Sequence, residues 1–329
     1  MSIQARIPAL GVGITVAVIA TLLLQPFIER ERVSATRDGL GAYVSERAAG
    51  RNTLFDEARV VQQTARDHFL RNYAELDQTT VDTIFEDRFP VANDGSRRSR
   101  DEDFDGRRTE SGHLIYGFGA FLGEESYSAT QRREIVSAYL ATTSVGPGIS
   151  GLYESLYFND ASANLIMFAP NRDDRLEFYR REAPADFRFG DKPFVNIVQP
   201  AANPSGRFVC TPLSDLLYRE DEHQLTIGCH LPVRQVGRQI GAFGMTLDVR
   251  DYLMETVVDP SGRDAFVVNR DGDIVAHPAL FQSDVITASD VDAVRSALNL
   301  NRLTRMITGT GQAQGVITDP TQDGHAAFA

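Results

Sequence analysis

The chain has 329 residues, of which 42% are hydrophobic, and 33 basic side chains stand against 45 acidic ones, for a net charge of -12. This length fits roughly two domains of ordinary size, and the apolar fraction suffices for folded cores. The acidic balance excludes a nucleic-acid-binding protein, because binding phosphates requires a basic surface. Tryptophan is absent, Lys192 is the one lysine, and two cysteines are too few for a disulfide-stapled mini-domain or a thiolate zinc site.

The first apolar segment, residues 7–24, runs for eighteen residues without a charge. With its flanks it is long enough to cross a bilayer core of about 30 Å. A cleaved signal peptide is the alternative, but the run exceeds a usual signal-peptide core and no small-residue cleavage motif follows it. We therefore predict an uncleaved signal anchor at residues 1–28 that contacts lipid through residues 7–28, with all later residues outside the cytoplasm.

Residues 29–90 carry apolar side chains at intervals of three to four, from Leu54 to Phe85, which predicts one long helix or two in tandem. A coiled-coil stalk is the alternative, but the stripe is too irregular for a strict heptad. The following segment, residues 92–111, is dense in charge and poor in apolar residues, which predicts a mobile loop.

The next part of the chain alternates strand-like runs with one helix, predicted at residues 130–142. Strands are predicted at residues 113–122, 152–158, 164–169, 194–198, 206–211, 225–232 and 240–249. This pattern predicts an α+β domain built on an antiparallel sheet.

A shorter unit begins near Arg250. The Asp-Gly turn at residues 270–273 joins two apolar runs and predicts a hairpin. A short helix at residues 291–300 follows, and the runs 303–307 and 314–318 predict a second hairpin. The sequence stops at Ala329 within a predicted strand, so we expect this unit to lack its last strand or strands.

The sequence offers no motif for catalysis or for a metal. The glycines near residue 310 have neither phosphate-loop nor dinucleotide spacing, and the six histidines show no pairing at metal-ligand intervals. We therefore predict no cofactor, no metal and no catalytic residue. Cys210 and Cys229 lie on neighbouring predicted strands, where a disulfide in an oxidising compartment and two buried thiols both stay open.

Residues 172–183, RDDRLEFYRREA, place four arginines around an aromatic pair between two predicted strands. Arginine forks beside aromatic faces suit a small ligand that carries a carboxylate. The alternative is that this segment is a charged, solvated loop that connects the two strands. The candidate ligand-binding residues of this segment are Arg175, Phe178, Tyr179 and Arg181.

The order of these parts resembles the double Cache (dCache), PAS-like sensor domains of bacterial transmembrane signalling receptors. Residues 241–249 (GAFGMTLDV) are similar to the strand that closes the family's membrane-distal module. Residues 266–278 (FVVNRDGDIVAHP) are similar to the hairpin of its membrane-proximal module, including the trailing His-Pro. The resemblance divides the chain into an anchor (1–28), a long helix (29–90), a distal module (91–249) and an incomplete proximal module (250–329).

The resemblance implies an extracytoplasmic domain at the bacterial inner membrane that binds a small molecule, such as an amino acid or another carboxylate, in its distal module. In the family, part of the site is an R-x-W-Y segment with an aspartate on the closing strand. Phe178 and Tyr179 resemble the aromatic pair and Asp248 the aspartate, while Tyr157 would line the sheet. The chain has no tryptophan, and Arg175 lies one residue farther away than the motif asks.

The resemblance also implies a homodimer and an output domain beyond the present sequence. A histidine kinase is the first expectation for this output, and a diguanylate cyclase or a chemoreceptor the next. An alternative of another class is a membrane-anchored periplasmic enzyme or chaperone that acts by itself. The lack of a visible catalytic constellation favours the sensor.

Overall fold

The computed structural model describes residues 31–48, 53–109, 112–149, 153–215, 225–247, 257, 265–268, 272–281, 286–312, 314–319 and 324–328. Among these residues, no helix combines the length and the apolar character needed to span a bilayer. The predicted anchor, residues 7–28, lies outside the described residues.

Eight helices and fourteen strands are named within the described residues. The helices are α1 (31–48), α2 (Thr53–Glu75), α3 (Gln78–Arg88), α4 (Glu102–Asp105), α5 (Ala129–Val145), α6 (Pro193–Asn196), α7 (Ala288–Ala297) and α8 (Leu300–Gly309). The strands are β1 (Arg97–Arg98), β2 (Arg107–Arg108), β3 (Leu114–Ile115), β4 (Phe118–Leu122), β5 (Tyr153–Asn159), β6 (Leu165–Phe168), β7 (Val209–Cys210), β8 (Ser214–Asp215), β9 (Leu225–Gln235), β10 (Arg238–Leu247), β11 (Val267–Val268), β12 (Ile274–Ala276), β13 (Gly315–Asp319) and β14 (Gly324–Phe328).

The chain divides into two compact units. The described parts of residues 1–52 and 301–329 form one unit, and those of residues 53–300 form the other. In the first unit β13 pairs antiparallel with β14, and Arg37 of α1 donates to the carbonyl of Val316 at 3.4 Å. The predicted boundary between the two modules at residue 250 stays a prediction, because residues 248–256 lie outside the described residues.

The larger unit is built on an antiparallel sheet in the order β1-β4-β6-β5-β10-β9-β7, with β8 beside β9. Helix α2 packs on one face, because Leu54, Ala58, Ala65 and Phe69 lie four or seven residues apart, on one side of the helix, and are buried. The Phe69 ring stacks on Phe158 of β5 at 5.5 Å between centroids. The predicted fold class, α+β with an antiparallel sheet and an N-terminal helical region, is confirmed.

Local capping explains where the helices begin. The side chain of Asp77 accepts from the backbone N–H of Thr80 at 2.9 Å, so α3 starts as a separate helix after α2. Ser128 and Gln131 form a reciprocal capping box at the start of α5. The predicted helical region is therefore largely helical where it is described, but α2 and α3 are distinct.

Two predicted strands are wrong because they are helical. Residues 194–198 fall largely in α6, which starts at Pro193, a residue whose fixed φ suits the first helical position. Residues 303–307 fall in α8, and β13 takes β14 as its partner instead. The hairpin predicted around the Asp-Gly turn is confirmed, with Val267 paired to Ala276.

The mobile loop predicted at residues 92–111 is also wrong over its described part. This segment contains β1, α4 and β2, and Arg97, Arg98 and Asp103 are buried in it. The carboxylate of Asp103 accepts from Arg107 at 2.9 Å. Its charges form ion pairs inside the fold, whereas the sequence pattern was typical of solvated charges.

Strands β7 and β9 pair with Cys210 directly opposite Cys229, and the structure joins them in a disulfide. Of the two alternatives left open by the sequence, the bridge is the one that the structure contains. The bridged cysteines are 19 residues apart. A bridge that closes a loop of this size disfavours the unfolded chain.

We predict that replacing both Cys210 and Cys229 by alanine lowers the free energy of unfolding by about 3 kcal/mol, the loop-closure contribution of the bridge. Urea unfolding followed by circular dichroism, with and without dithiothreitol, measures the change. The reductant should destabilise the wild type and leave the double variant unchanged. Equal unfolding midpoints for the oxidised wild type and the double variant would contradict the prediction.

Candidate functional site

The sheet face opposite α2 and α5, called here the front face, carries both glycines and aromatic rings at its centre. The strand registers place Gly119, Met167, Tyr157, Gly244 and His230 side by side across five strands. Directly paired residues present their side chains on the same face of a sheet, so these five residues form one row, the central row. Two of the five are glycines, which leaves backbone open to whatever packs on the front face.

His230 lies over two glycines in the middle of the front face. A Cβ built on Gly244 would lie 2.7 Å from its Nδ1, and a Cβ built on Gly228 would lie 2.8 Å from its Nε2. The Nε2 atom is 3.4 Å from the Tyr157 hydroxyl, while Nδ1 has no hydrogen-bond partner among the described residues. Burial lowers the pKa of His230 to about 3, so the ring is neutral near pH 7.

Residues 172–198, called here the cover segment, pack over this face. Phe194 stacks on the His230 ring with 5.7 Å between centroids and meets the Tyr157 ring edge-on at 6.5 Å. The cover segment and the sheet share one buried cluster. Its members are Phe104, Phe121, Tyr157, Ala163, Leu165, Met167, Ala169, Leu176, Tyr179, Ala183, Phe189 and Val195, with Phe178, Phe187 and Phe194 packed against it.

The backbone of the cover segment is strained where it meets the sheet. Arg175 and Leu176 have φ values of 52° and 56°, in the left-handed region that side chains other than glycine rarely adopt. Leu176 is fully buried, and a Cβ on Gly119 would lie 2.8 Å from its Cδ1. Such residues cost about 1–3 kcal/mol each and concentrate at ligand-binding segments and switches.

Three of the six predicted site residues come together in this cluster. Tyr157 on β5 and Tyr179 in the cover segment are both buried. Phe178 packs edge-on against Tyr179 at 5.2 Å and against Phe187 at 5.1 Å. The predicted aromatic lining therefore lies on the front face, with one tyrosine from the sheet and a ring pair from the cover segment.

The other predicted site residues do not join the cluster. The side chains of Arg175 and Arg181 are 54% and 52% exposed. Arg175 forms an ion pair with Asp105, and Arg181 forms one with Asp101 at 2.7 Å. They lie at the outer edge of the cover segment, called here the rim. Asp248 lies outside the described residues.

Two buried arginines of this region, neither of them among the candidate ligand-binding residues, already have partners. Arg98 donates to the carbonyl of Tyr179 and to Asp94, the latter at 2.7 Å. Arg180 donates to the carbonyl of Arg175 at 2.8 Å and pairs with Asp101. Each therefore ties the cover segment to neighbouring residues.

The sequence reasoning also missed His230. The signal available to it was a histidine two residues from Gly228 on a predicted strand, which places both on one face. Within the part of the chain that the structure describes, no group of histidine, cysteine, aspartate and glutamate residues is arranged to hold a metal ion.

We predict that Gly244→Ala destabilises the protein by about 1–3 kcal/mol, because an added methyl group at this tightly packed position displaces its neighbours. The added Cβ would lie 2.4 Å from the Tyr157 ring. Gly190→Ala in the cover segment is the matched control, since nothing lies within 4 Å of its Cβ position. Urea unfolding measures both variants, and equal stabilities would contradict the prediction.

We predict that His230 makes the protein less stable in acid. Its pKa is about 3 in the folded protein against an ordinary value of 6.5, so only the unfolded chain binds the proton between these values. The contribution of the neutral ring is complete above about pH 6.5 and is lost as the pH falls toward 3. The stability of the wild type relative to His230→Asn should therefore fall from neutral pH to about pH 4. A constant difference in urea unfolding would contradict this.

No protein-family model and no curated protein matches this chain, but solved structures do. The periplasmic sensory domain of the Campylobacter jejuni chemoreceptor Tlp1 is 14% identical, with 90% of each chain covered and a TM-score of 0.43. The ligand-binding domain of the Pseudomonas aeruginosa amino acid chemoreceptor PctB, in complex with L-Gln, is 21% identical over 46% of this chain, with a TM-score of 0.34.

The match to the PctB domain covers 55% of that domain, so this chain spans about half of its length. The ligand-binding domain of the Pseudomonas fluorescens chemoreceptor CtaA, in complex with L-alanine, is 16% identical over 59% of this chain and 71% of its own, with a TM-score of 0.34. All three solved structures are sensory or ligand-binding domains of chemoreceptors.

Proposed function

We propose that this chain is the extracytoplasmic small-molecule-sensing part of a membrane-bound signal-transduction receptor. The ligand would bind between the central row and the cover segment. The make-up of the front face carries the proposal. It combines glycines, aromatic rings and a buried polar nitrogen without a partner among the described residues, which is typical of a ligand site. The opposite face, where Phe69, Phe158 and Phe243 pack together, is an ordinary apolar core.

In this proposal the candidate residues contact the ligand from two sides, the sheet and the cover segment. Tyr157 contacts the ligand from the sheet, and Phe178 and Tyr179 contact it from the cover segment. The sequence resemblance supplies Asp248 as the partner of an ammonium group, by charge complementarity.

The arginines at the rim suit a carboxylate. Arg175 and Arg181 are already paired with Asp105 and Asp101, which lie at the two ends of α4. A carboxylate of the ligand could replace Asp105 or Asp101 in a bidentate contact, because the chemical groups are the same. We therefore propose that the ligand carries a carboxylate at this end.

The wider architecture follows from the sequence. Residues 7–28 would anchor the protein in the bacterial inner membrane, and the helical region would support a homodimer. We propose a sensor histidine kinase as the receptor class, with a diguanylate cyclase or a chemoreceptor as the alternatives. The ligand can shift the signalling equilibrium only by its differential affinity for the two states. The downstream reading frame tests this class by the output motif that follows a second apolar span.

A thermal-shift screen of the full chain against amino acids and organic acids tests the proposed site. Melting followed by circular dichroism is suitable because the chain has no tryptophan. A true ligand at about 100 times its Kd should stabilise the protein by about 2.7 kcal/mol. Tyr157→Phe should lose most of this stabilisation, because it removes a hydroxyl from the site. Arg175→Ala should lose it for a ligand with a carboxylate.

Strand β5 also contains a residue suited to a matched control. Tyr153 lies on the same strand as Tyr157, but its hydroxyl donates to the carbonyl of Leu54 in α2 at 2.8 Å. Tyr153→Phe should lower the melting temperature of the free protein and keep the ligand-induced shift. A screen without any stabilising compound would contradict the proposed function, and an unchanged shift in both Tyr157→Phe and Arg175→Ala would move the site elsewhere.

A further inference from the structure

We propose that His230 contacts the ligand directly through Nδ1 and selects an uncharged hydrogen-bonding group, such as a carboxamide, over a charged one at that point. This inference rests on the proposed function, because it places His230 in the same ligand site. It adds a residue and a chemical preference that the sequence pattern did not supply.

The geometry holds the ring in place and buries one of its nitrogens without a hydrogen-bond partner among the described residues. Phe194 stacks on the ring from the cover segment, while Gly228 and Gly244 allow it to lie close to the sheet. The Nδ1 atom has no partner among the described residues. Leaving a buried polar atom without a hydrogen bond costs free energy. A ligand group that bonds to Nδ1 would remove this cost.

The Nδ1 atom can act as a donor or as an acceptor, depending on the tautomer of the ring. If Nε2 carries the proton and donates to the hydroxyl of Tyr157, then Nδ1 accepts. If the Tyr157 hydroxyl donates to Nε2, then Nδ1 carries the proton and donates. A carboxamide offers both an N–H and a carbonyl oxygen, so it matches either tautomer.

The surroundings disfavour a charged group at this point. The buried Asn159 has an Nδ2 atom without a partner among the described residues and is also neutral. It lies on the front face beside Leu165. The buried arginines of this region, Arg98, Arg172 and Arg180, are engaged with carbonyls and aspartates. A carboxylate or an ammonium brought to His230 would therefore be buried beside neutral groups, which costs far more than burying an amide.

Matched probes separate the two chemistries. L-glutamine and L-glutamate, and L-asparagine and L-aspartate, differ only by an amide against a carboxylate at the side-chain end. Calorimetric titration of the full chain should show an amide member binding at least about tenfold more tightly than its acid partner, a difference of about 1.4 kcal/mol.

Two substitutions then assign the preference to Nδ1. The amide of His230→Asn lies near the position of Nδ1, and that of His230→Gln lies near the position of Nε2. The Asn variant should keep binding the amide probe, and the Gln variant should lose about tenfold or more in affinity. Melting of each variant without probe checks that both fold.

The outcomes distinguish this inference from the function on which it rests. Equal affinity for the amide and acid probes, or equal effects of His230→Asn and His230→Gln, would overturn the role of His230 and leave the ligand site standing. No binding by any of the four probes, when another compound of the screen stabilises the protein, would do the same. A screen without any stabilising compound would overturn the proposed function itself.

Discussion

The cover segment has little regular secondary structure of its own and lies on the front face of the sheet. The larger unit must therefore supply hydrogen-bond donors to its backbone. Its buried carbonyls need donors, because an unpaired buried backbone group is costly. Arginine side chains supply them: Arg98 donates to the carbonyl of Ala183, and Arg180 donates to that of Arg175. The planar guanidinium carries five donors in a fixed fork, whereas a lysine is a compact point charge. A chain with Lys192 as its one lysine is suited to this arrangement.

The same demand explains why the region could not be predicted from its own sequence. Residues 92–111 are dense in charge, and local composition cannot separate a solvated loop from a buried network. Arg98 and Ala183 are 85 residues apart, and only the fold brings them together. The helix at Pro193 and the pairing of β13 with β14 were likewise missed, since local strand-like patterns do not choose a partner.

What the sequence did predict depends on local chemistry. The hairpin of β11 and β12 follows from its Asp-Gly turn, and helix α5 follows from its apolar spacing and capping box. The candidate aromatic residues came from one contiguous segment and a neighbouring strand. His230 could not be found in this way, because its place over Gly244 depends on the register between two strands.

Strand β5 carries one tyrosine that packs toward the helices and one that lies in the proposed ligand site. The β5–β10 register shifts between Thr246 and Leu247, so Tyr153 faces the helices although it lies four residues from Tyr157. The Tyr153 hydroxyl holds α2, whereas Tyr157 shares its hydroxyl with His230. The apolar core packs against the helix side of the sheet, and the front face holds a neutral ring nitrogen that has no hydrogen-bond partner among the described residues. In the proposed site, binding energy would come from completing hydrogen bonds to groups that the packing already positions, with little ordering left to the ligand.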